Sequence, residues 1–360
     1  MSTVHERIDG FQRRHAVIGY PIAVIYKFGD DQGHYLSAMI TYYAFIAIFP
    51  LLLIATSVLG FVVQGDDELR AQILNSALSQ FPIVGDRLGH PDGLSGSTAA
   101  VVVGFLVALY GSLGVAQAGQ HAINVAWAVP RNARPNPIIS RLKSMLLLLI
   151  AGLAVLTTAI LNAFGSNPEV FGAELNEGPQ RLITFGTAVL NAGIFIALFR
   201  LASAYDHRLR SAIPGAITVA ILWQLVQKAG EIYVREVIAG AGSWNGTFAL
   251  VLGLMGLLYV GAFIVVFGVE VNVVLAKRLY PRALLTPFTD NVDLTEADKR
   301  AYSGYVRAQR HKGFQTVDVR FDRRARRLPI DDEDDPEPTL EGHSDPNGFA
   351  GRDSDVWTDD

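Results

Sequence analysis

Six stretches of this chain are long, apolar and almost free of charge, and they limit its fold more than any other feature. They run over residues 36–63, 98–128, 145–164, 182–204, 213–233 and 248–276. The first and third contain no charged residue, and the second is interrupted only by His121. Arg200 stands in the fourth, Lys228 and Glu231 near the far end of the fifth, and Glu270 in the sixth. A hydrocarbon layer about 30 Å thick needs about 20 apolar helical residues to span it. Each run meets that length, and none alternates as a strand of a β-barrel would. The expected fold is therefore an all-α bundle of six transmembrane helices over residues 36–280. An amphipathic cytoplasmic segment (1–35) precedes it, and a largely disordered charged tail (281–360) follows.

Lys and Arg in the short connections give the orientation. The N-terminal segment carries Arg7, Arg13, Arg14 and Lys27, and the second connection Arg131, Arg134, Arg141 and Lys143. The fourth has Arg208 and Arg210, and the tail opens with Lys277, Arg278 and Arg282. The first connection is dominated by acids, and the third (165–180) has no Lys or Arg. This alternation is in phase with six crossings and both termini in the cytoplasm. No cleavable leader is expected, because the first apolar run begins only near Leu36, after mixed charge. The absence of cysteine excludes disulfides, thiolate metal sites and cysteine nucleophiles.

Outside the spans, residues 11–28 mix Phe11, Val17, Ile18, Ile22, Ile25 and Phe28 with Arg13, Arg14 and Lys27. That pattern predicts a helix lying on the membrane surface, bent or restarted at Pro21. Leu69, Ile73, Leu74, Ala77, Leu78 and Phe81 give the first outer connection helical periodicity too. In the tail, Thr295 with Asp298 predicts a capped short helix reaching the Tyr305 region. Beyond it the chain turns basic, with Arg323, Arg324, Arg326 and Arg327, and then acidic and rich in proline. The four arginines are candidates for binding anionic lipid headgroups, at about 1 kcal/mol each. Neutralisation by the acidic part is the alternative.

Within the spans, Gly104, Ala108, Ser112 and Ala116 form a ladder of small residues, with Gly111 and Gly114 beside it. Such a face lets helices approach closely in lipid. The candidate intramembrane polar site comprises Tyr42, Tyr43, Gln120, Asn124, Arg200, Gln224, Glu270 and Asn272. Its members either line a path or hydrogen-bond between helices. Charges at depth favour pairing, so Arg200 is expected to meet Glu270, and Lys228 to meet Glu231.

Several segments also resemble the motifs of a known family. Residues 36–52, LSAMITYYAFIAIFPLL, resemble the first-span signature of the YihY/BrkB family, long labelled ribonuclease BN. Ala122-Ile-Asn-Val-Ala-Trp127 with Arg131 and Arg134 is similar to its second motif. Leu198-Phe-Arg-Leu, Pro214-Gly-Ala and Leu222-Trp-Gln resemble the third, and Tyr259 with Gly268-Val-Glu-Val-Asn272 the last. The ordered set covers roughly residues 30–280. It departs at Leu257, where the family often has Trp, and in the charged tail. The resemblance implies a multi-pass inner-membrane protein of bacteria with no settled activity. Members are associated with virulence and serum resistance, and transport or envelope-lipid roles have been proposed. It also implies that the ribonuclease label is a misassignment.

The residues agree with that implication. A metal-dependent nuclease needs clustered His and carboxylate ligands, and the eight His are scattered. No nucleophile–base spacing supports an enzyme, and neither cofactor nor metal is expected. Transport or lipid handling through a polar path is the leading expectation, although no inverted repeat is visible. A scaffold with a docking tail is the alternative. Membrane lipids are the expected partners, with other envelope proteins or a second copy of the chain on the scaffold reading. Nucleic acid is not expected, since aromatic residues are sparse in the basic run.

Overall fold

The computed structural model describes residues 4–62, 98–166, 177–204, 208–233, 243–289 and 292–321. Among them every regular element is helical. The α-helices are α1 (Val4–Arg14), α2 (Ala16–Asp30), α3 (Gly33–Val62), α4 (Thr98–Ala126), α5 (Pro137–Ser166), α6 (Glu177–Ala202), α7 (Ile213–Tyr233), α8 (Ser243–Lys277) and α9 (Glu296–Ala308). Short 3₁₀ turns at Arg131–Ala133 and Leu209–Ser211 lead into α5 and α7. Pro214 sits in the first turn of α7, where its missing N–H has no intrahelical partner to lose. The expected amphipathic stretch in the first outer connection lies outside the described residues. So do Arg323, Arg324, Arg326 and Arg327.

Among the described residues three helical segments are both long and apolar enough to cross a membrane: Pro137–Thr158, Leu209–Gly230 and Val251–Lys277. Their outward faces are apolar. On α5, Leu142, Met145, Leu149 and Leu153 are exposed, and on α7 Ile213, Ile217, Ile221 and Leu225 recur every fourth residue. In water such stripes would drive aggregation; in hydrocarbon they face a solvent like themselves. Helices α3 to α8 form a closed ring, each packed on the next and α8 packed back on α3. Helix α8 also touches α2, α4 and the 3₁₀ turn that leads into α7.

Small residues set two close crossings. A Cβ added at Gly114 would fall 2.1 Å from the Tyr43 ring, and one at Gly111 3.0 Å from the Ala47 backbone. Ser112 and Ala116 are buried on the same helix. The second crossing joins α7 to α8, where a Cβ on Gly215 would lie 2.0 Å from the Gly268 carbonyl oxygen. Backbone cannot yield as a side-chain tip can. Gly215→Ala should therefore destabilise the protein by about 1–3 kcal/mol. Gly193→Ala, with nothing within 4 Å, should be neutral or slightly stabilising. Thermal unfolding in detergent compares them, and equal melting temperatures would contradict the crossing.

Helix α2 departs from the surface reading in two ways. The chain breaks at His15, and the helix then runs through Pro21 to Asp30. Its apolar Val17, Ile18 and Ile25 point outward, while Gly19, Ala23, Val24, Lys27 and Phe28 are buried. Phe28 fixes the buried face by packing on Phe263 and Phe267 of α8, ring centroids 4.6 and 6.0 Å away. Lys27 is thereby carried into the interior. The capped helix in the tail forms as expected: Thr295 accepts from Asp298 N, and Asp298 accepts from Thr295 N.

Candidate functional site

Three segments distant in sequence bring their charges together beside α8. Helix α2 supplies Lys27 and Asp30 and, at its C-cap, Asp31; α8 supplies Glu270 and Lys277, and the segment after α8 supplies Arg282 and Asp298. Lys27, one turn before Asp31 on a continuous helix, donates to the Asp31 carboxylate and to the Ala126 carbonyl at the end of α4. Its ammonium is 3.4 Å from Glu270 Oε2. Lys27 and Glu270 have side-chain exposures of 2% and 0%. Burial works against the lysine charge, yet Glu270 and Asp31 outweigh it and hold Lys27 above its ordinary value. Asp31 is pushed up, by burial first and only partly offset by Lys27.

Helix ends frame this group. Helix α4 closes with Val129 N donating to Asn124 O, and α8 with Leu279 N donating to Val274 O. The intervening Ala128 and Arg278 adopt left-handed φ of 49° and 51°, a conformation found at helix C-termini but usually taken by Gly. Lys277 spans the two ends, donating to the Trp127 carbonyl with its ammonium 5.8 Å from that ring.

Arg282 forms a second buried ion pair. It donates to Asp298 Oδ1, and to Asp30 Oδ2 at 3.0 Å, with Tyr302 5.3 Å away. Burial opposes its charge, but the Asp298 hydrogen bond and Asp30 more than compensate and raise it. Asp298 also accepts from Ala283 N, so one carboxylate caps α9 and anchors it to the exit of α8. The N-terminal helices grip the same segment: Asp9 accepts from Leu284 N, Gln12 donates to Arg282 O, and Tyr26 donates to Leu284 O. Through these contacts α9 lies over the site, with the Lys27 ammonium 5.1 Å from the Tyr305 ring centre.

The eight polar residues expected to form one site are divided. Gln120 donates to Ser140 O and Ser144 Oγ on α5. Asn124 accepts from Ala204 N after α6, and Asn272 from Gly215 N of α7. These three tie helices together. Tyr43 packs edge-on to Tyr42 and Tyr110, and Tyr42 and Gln224 are exposed. Arg200 lies exposed at the end of α6, and the cation beside Glu270 is Lys27 instead. Glu270 is fully enclosed, so only a cation carried in on a packed face can reach it. Lys228 is exposed, and the side chain of Glu231 is outside the described residues. Sequence reasoning missed Asp31 and Asp298 as site groups. The available signal was Lys27-x-x-x-Asp31, an i,i+4 ion-pair spacing inside an apolar stretch. Among the described residues no three His, Cys, Asp or Glu are grouped to hold a metal ion.

An all-α protein with outward apolar stripes and charges gathered at one end of its longest helix is a membrane protein of apolar helices. A family model, Virulence factor BrkB, matches residues 24–291, and the chain belongs to that family. The motif resemblance pointed to this same family. One relative is the "Putative ribonuclease-like protein YfkH" of Bacillus subtilis (strain 168), 24% identical over 254 residues, which are 69% of this chain and 91% of that protein. No solved structure matches the chain significantly. The matched region contains Lys27, Asp31, Glu270 and Arg282, whereas α9 with Asp298 and Tyr305 lies beyond it.

Proposed function

We propose that this protein moves a solute or an envelope lipid across the bacterial inner membrane, and that the Lys27–Asp31–Glu270 group is its working centre. In this reading the chain crosses the bilayer six times as α3 to α8, with both termini in the cytoplasm. One observation carries the reading. Glu270 stands in an apolar, membrane-length helix, has no exposure, and neither of its oxygens has a hydrogen-bond partner. A structural ion pair in such a place normally has its lone pairs satisfied, and ionisable residues at membrane depth mark transport paths and proton relays. We also propose that Arg323, Arg324, Arg326 and Arg327 bind anionic lipid headgroups.

A scaffold is the second reading. It is favoured by Gln120, Asn124 and Asn272, each of which bonds between helices. Proteoliposomes decide between the two. Purified full-length protein should give lipid scrambling or ion-driven uptake above empty vesicles. Glu270→Gln should reduce that rate at least tenfold. Flux equal to empty vesicles for both lipid and solute would sink the transport reading and leave the scaffold.

A further inference from the structure

The unusual part of the buried group is a surplus of acceptors. Lys27 directs its protons to Asp31 and to the Ala126 carbonyl. Glu270 Oε2 receives only the charge of that ammonium, 3.4 Å away, and neither Glu270 oxygen has a hydrogen-bond partner. The Asp31 and Glu270 carboxyl groups thus share one buried ammonium, Asp31 hydrogen-bonded to it and Glu270 Oε2 3.4 Å from it. Two like charges gathered at one ammonium, away from water, repel too strongly for both to ionise. One proton on the pair removes the repulsion and leaves a single negative charge against the single positive charge of Lys27.

We propose that Asp31 and Glu270 form a proton-binding site, neutralised by Lys27 and covered by Tyr305 of α9. It rests on the transport reading for its use, and deepens that reading by naming the proton as the ion taken up. The titratable groups facing the pair are Lys27 and Asp30 of α2, Lys277 of α8 and the Tyr305 phenol of α9. Helix α4 adds the Ala126 carbonyl. Loading forms one carboxyl O–H bond with a proton from water, and unloading returns that proton; no electrons move. The way in is short. The Tyr305 hydroxyl donates to Asp30 Oδ2 at 3.2 Å, and the Asp30 side chain is one quarter exposed. A displacement of Tyr305 would put water next to Asp31.

Infrared difference spectroscopy of the purified full-length protein reads the site directly, whether or not flux is found. At neutral pH the wild type should show a protonated-carboxyl C=O band that shifts in D2O. That band should be absent from Glu270→Gln and from Asp31→Asn. Glu270→Gln keeps the size of the side chain and removes its charge, so it should fold with wild-type helicity. A wild type without the band, or a band that persists in Glu270→Gln, overturns the proposal. Loss of the band with no flux in liposomes would keep the proton site and remove the transport reading. Flux without the band would do the reverse.

Discussion

Lys27→Met should be among the most damaging single changes in the protein, costing about 3–5 kcal/mol. The methionine matches the length of the lysine, so packing is nearly kept and the loss is electrostatic. Lys27 is the ammonium that both Asp31 and Glu270 rely on, and all three are buried. Removing it leaves negative charge enclosed without a counterion. The pH dependence has a definite sign. Asp31 is raised by burial, so the folded state binds more protons than the unfolded one between the ordinary carboxylate value and the raised one. Stability from this source is present at low pH and is lost as pH rises through that window. The variant should therefore lie closer to wild type at about pH 5 than at about pH 8. Adding Glu270→Gln should recover part of the loss. Thermal unfolding in detergent checks each step; a Lys27→Met protein as stable as wild type at both pH values would show that the buried group is not a charge cluster.

Arg282→Met should cost a similar amount, about 3–5 kcal/mol, but in a different place. Arg282 is buried, and its removal strands Asp298, which has no exposure. Asp298 still caps α9 through Thr295, so the helix itself should survive while its anchor to Ala283 and the exit of α8 loosens. Backbone hydrogen exchange should rise sharply over residues 296–308 and around 281–284, and stay near wild type in the centre of α8. Uniform loss of protection would mean that Arg282 holds the whole bundle and not the covering helix. If α9 closes the proton site, the same variant should also raise exchange of the protonated-carboxyl band into D2O.

What was readable in the sequence was what local composition controls. The apolar runs appear as long helices because about twenty uncharged residues in succession leave the backbone no other economical partner than itself. Pro214 and Thr295 with Asp298 marked helix starts because caps act over three or four residues. Glu270 could be singled out as a buried charge from its neighbours alone. Its partner could not. Lys27 is 243 positions away (270 − 27), and its depth depends on which face of α2 turns inward. The apolar count of that helix is high on both faces, so the pattern suggested a membrane-surface helix. Phe28 against Phe263 and Phe267 settles the face, and that contact exists only in three dimensions. Arg200 looked equivalent to Lys27 in one dimension, but α6 packs chiefly on α5 and α7, and Arg200 is exposed at its end. The division of Gln120, Asn124 and Asn272 into separate interhelical bonds was equally hidden, because each partner is a backbone or hydroxyl group with no mark in the sequence.

On the proposed crossing pattern the buried group lies at the cytoplasmic end of a six-helix ring. The absence of natural cysteine makes that directly measurable. Single cysteines at Ser95, Asn132, Asn176, Arg208, Ala241 and Lys312 can be labelled in intact cells with a membrane-impermeant maleimide. Positions 95, 176 and 241 should react from outside, and positions 132, 208 and 312 only after the membrane is opened. Labelling of position 312 from outside, or of two successive connections from the same side, would contradict the six-span arrangement with both termini in the cytoplasm.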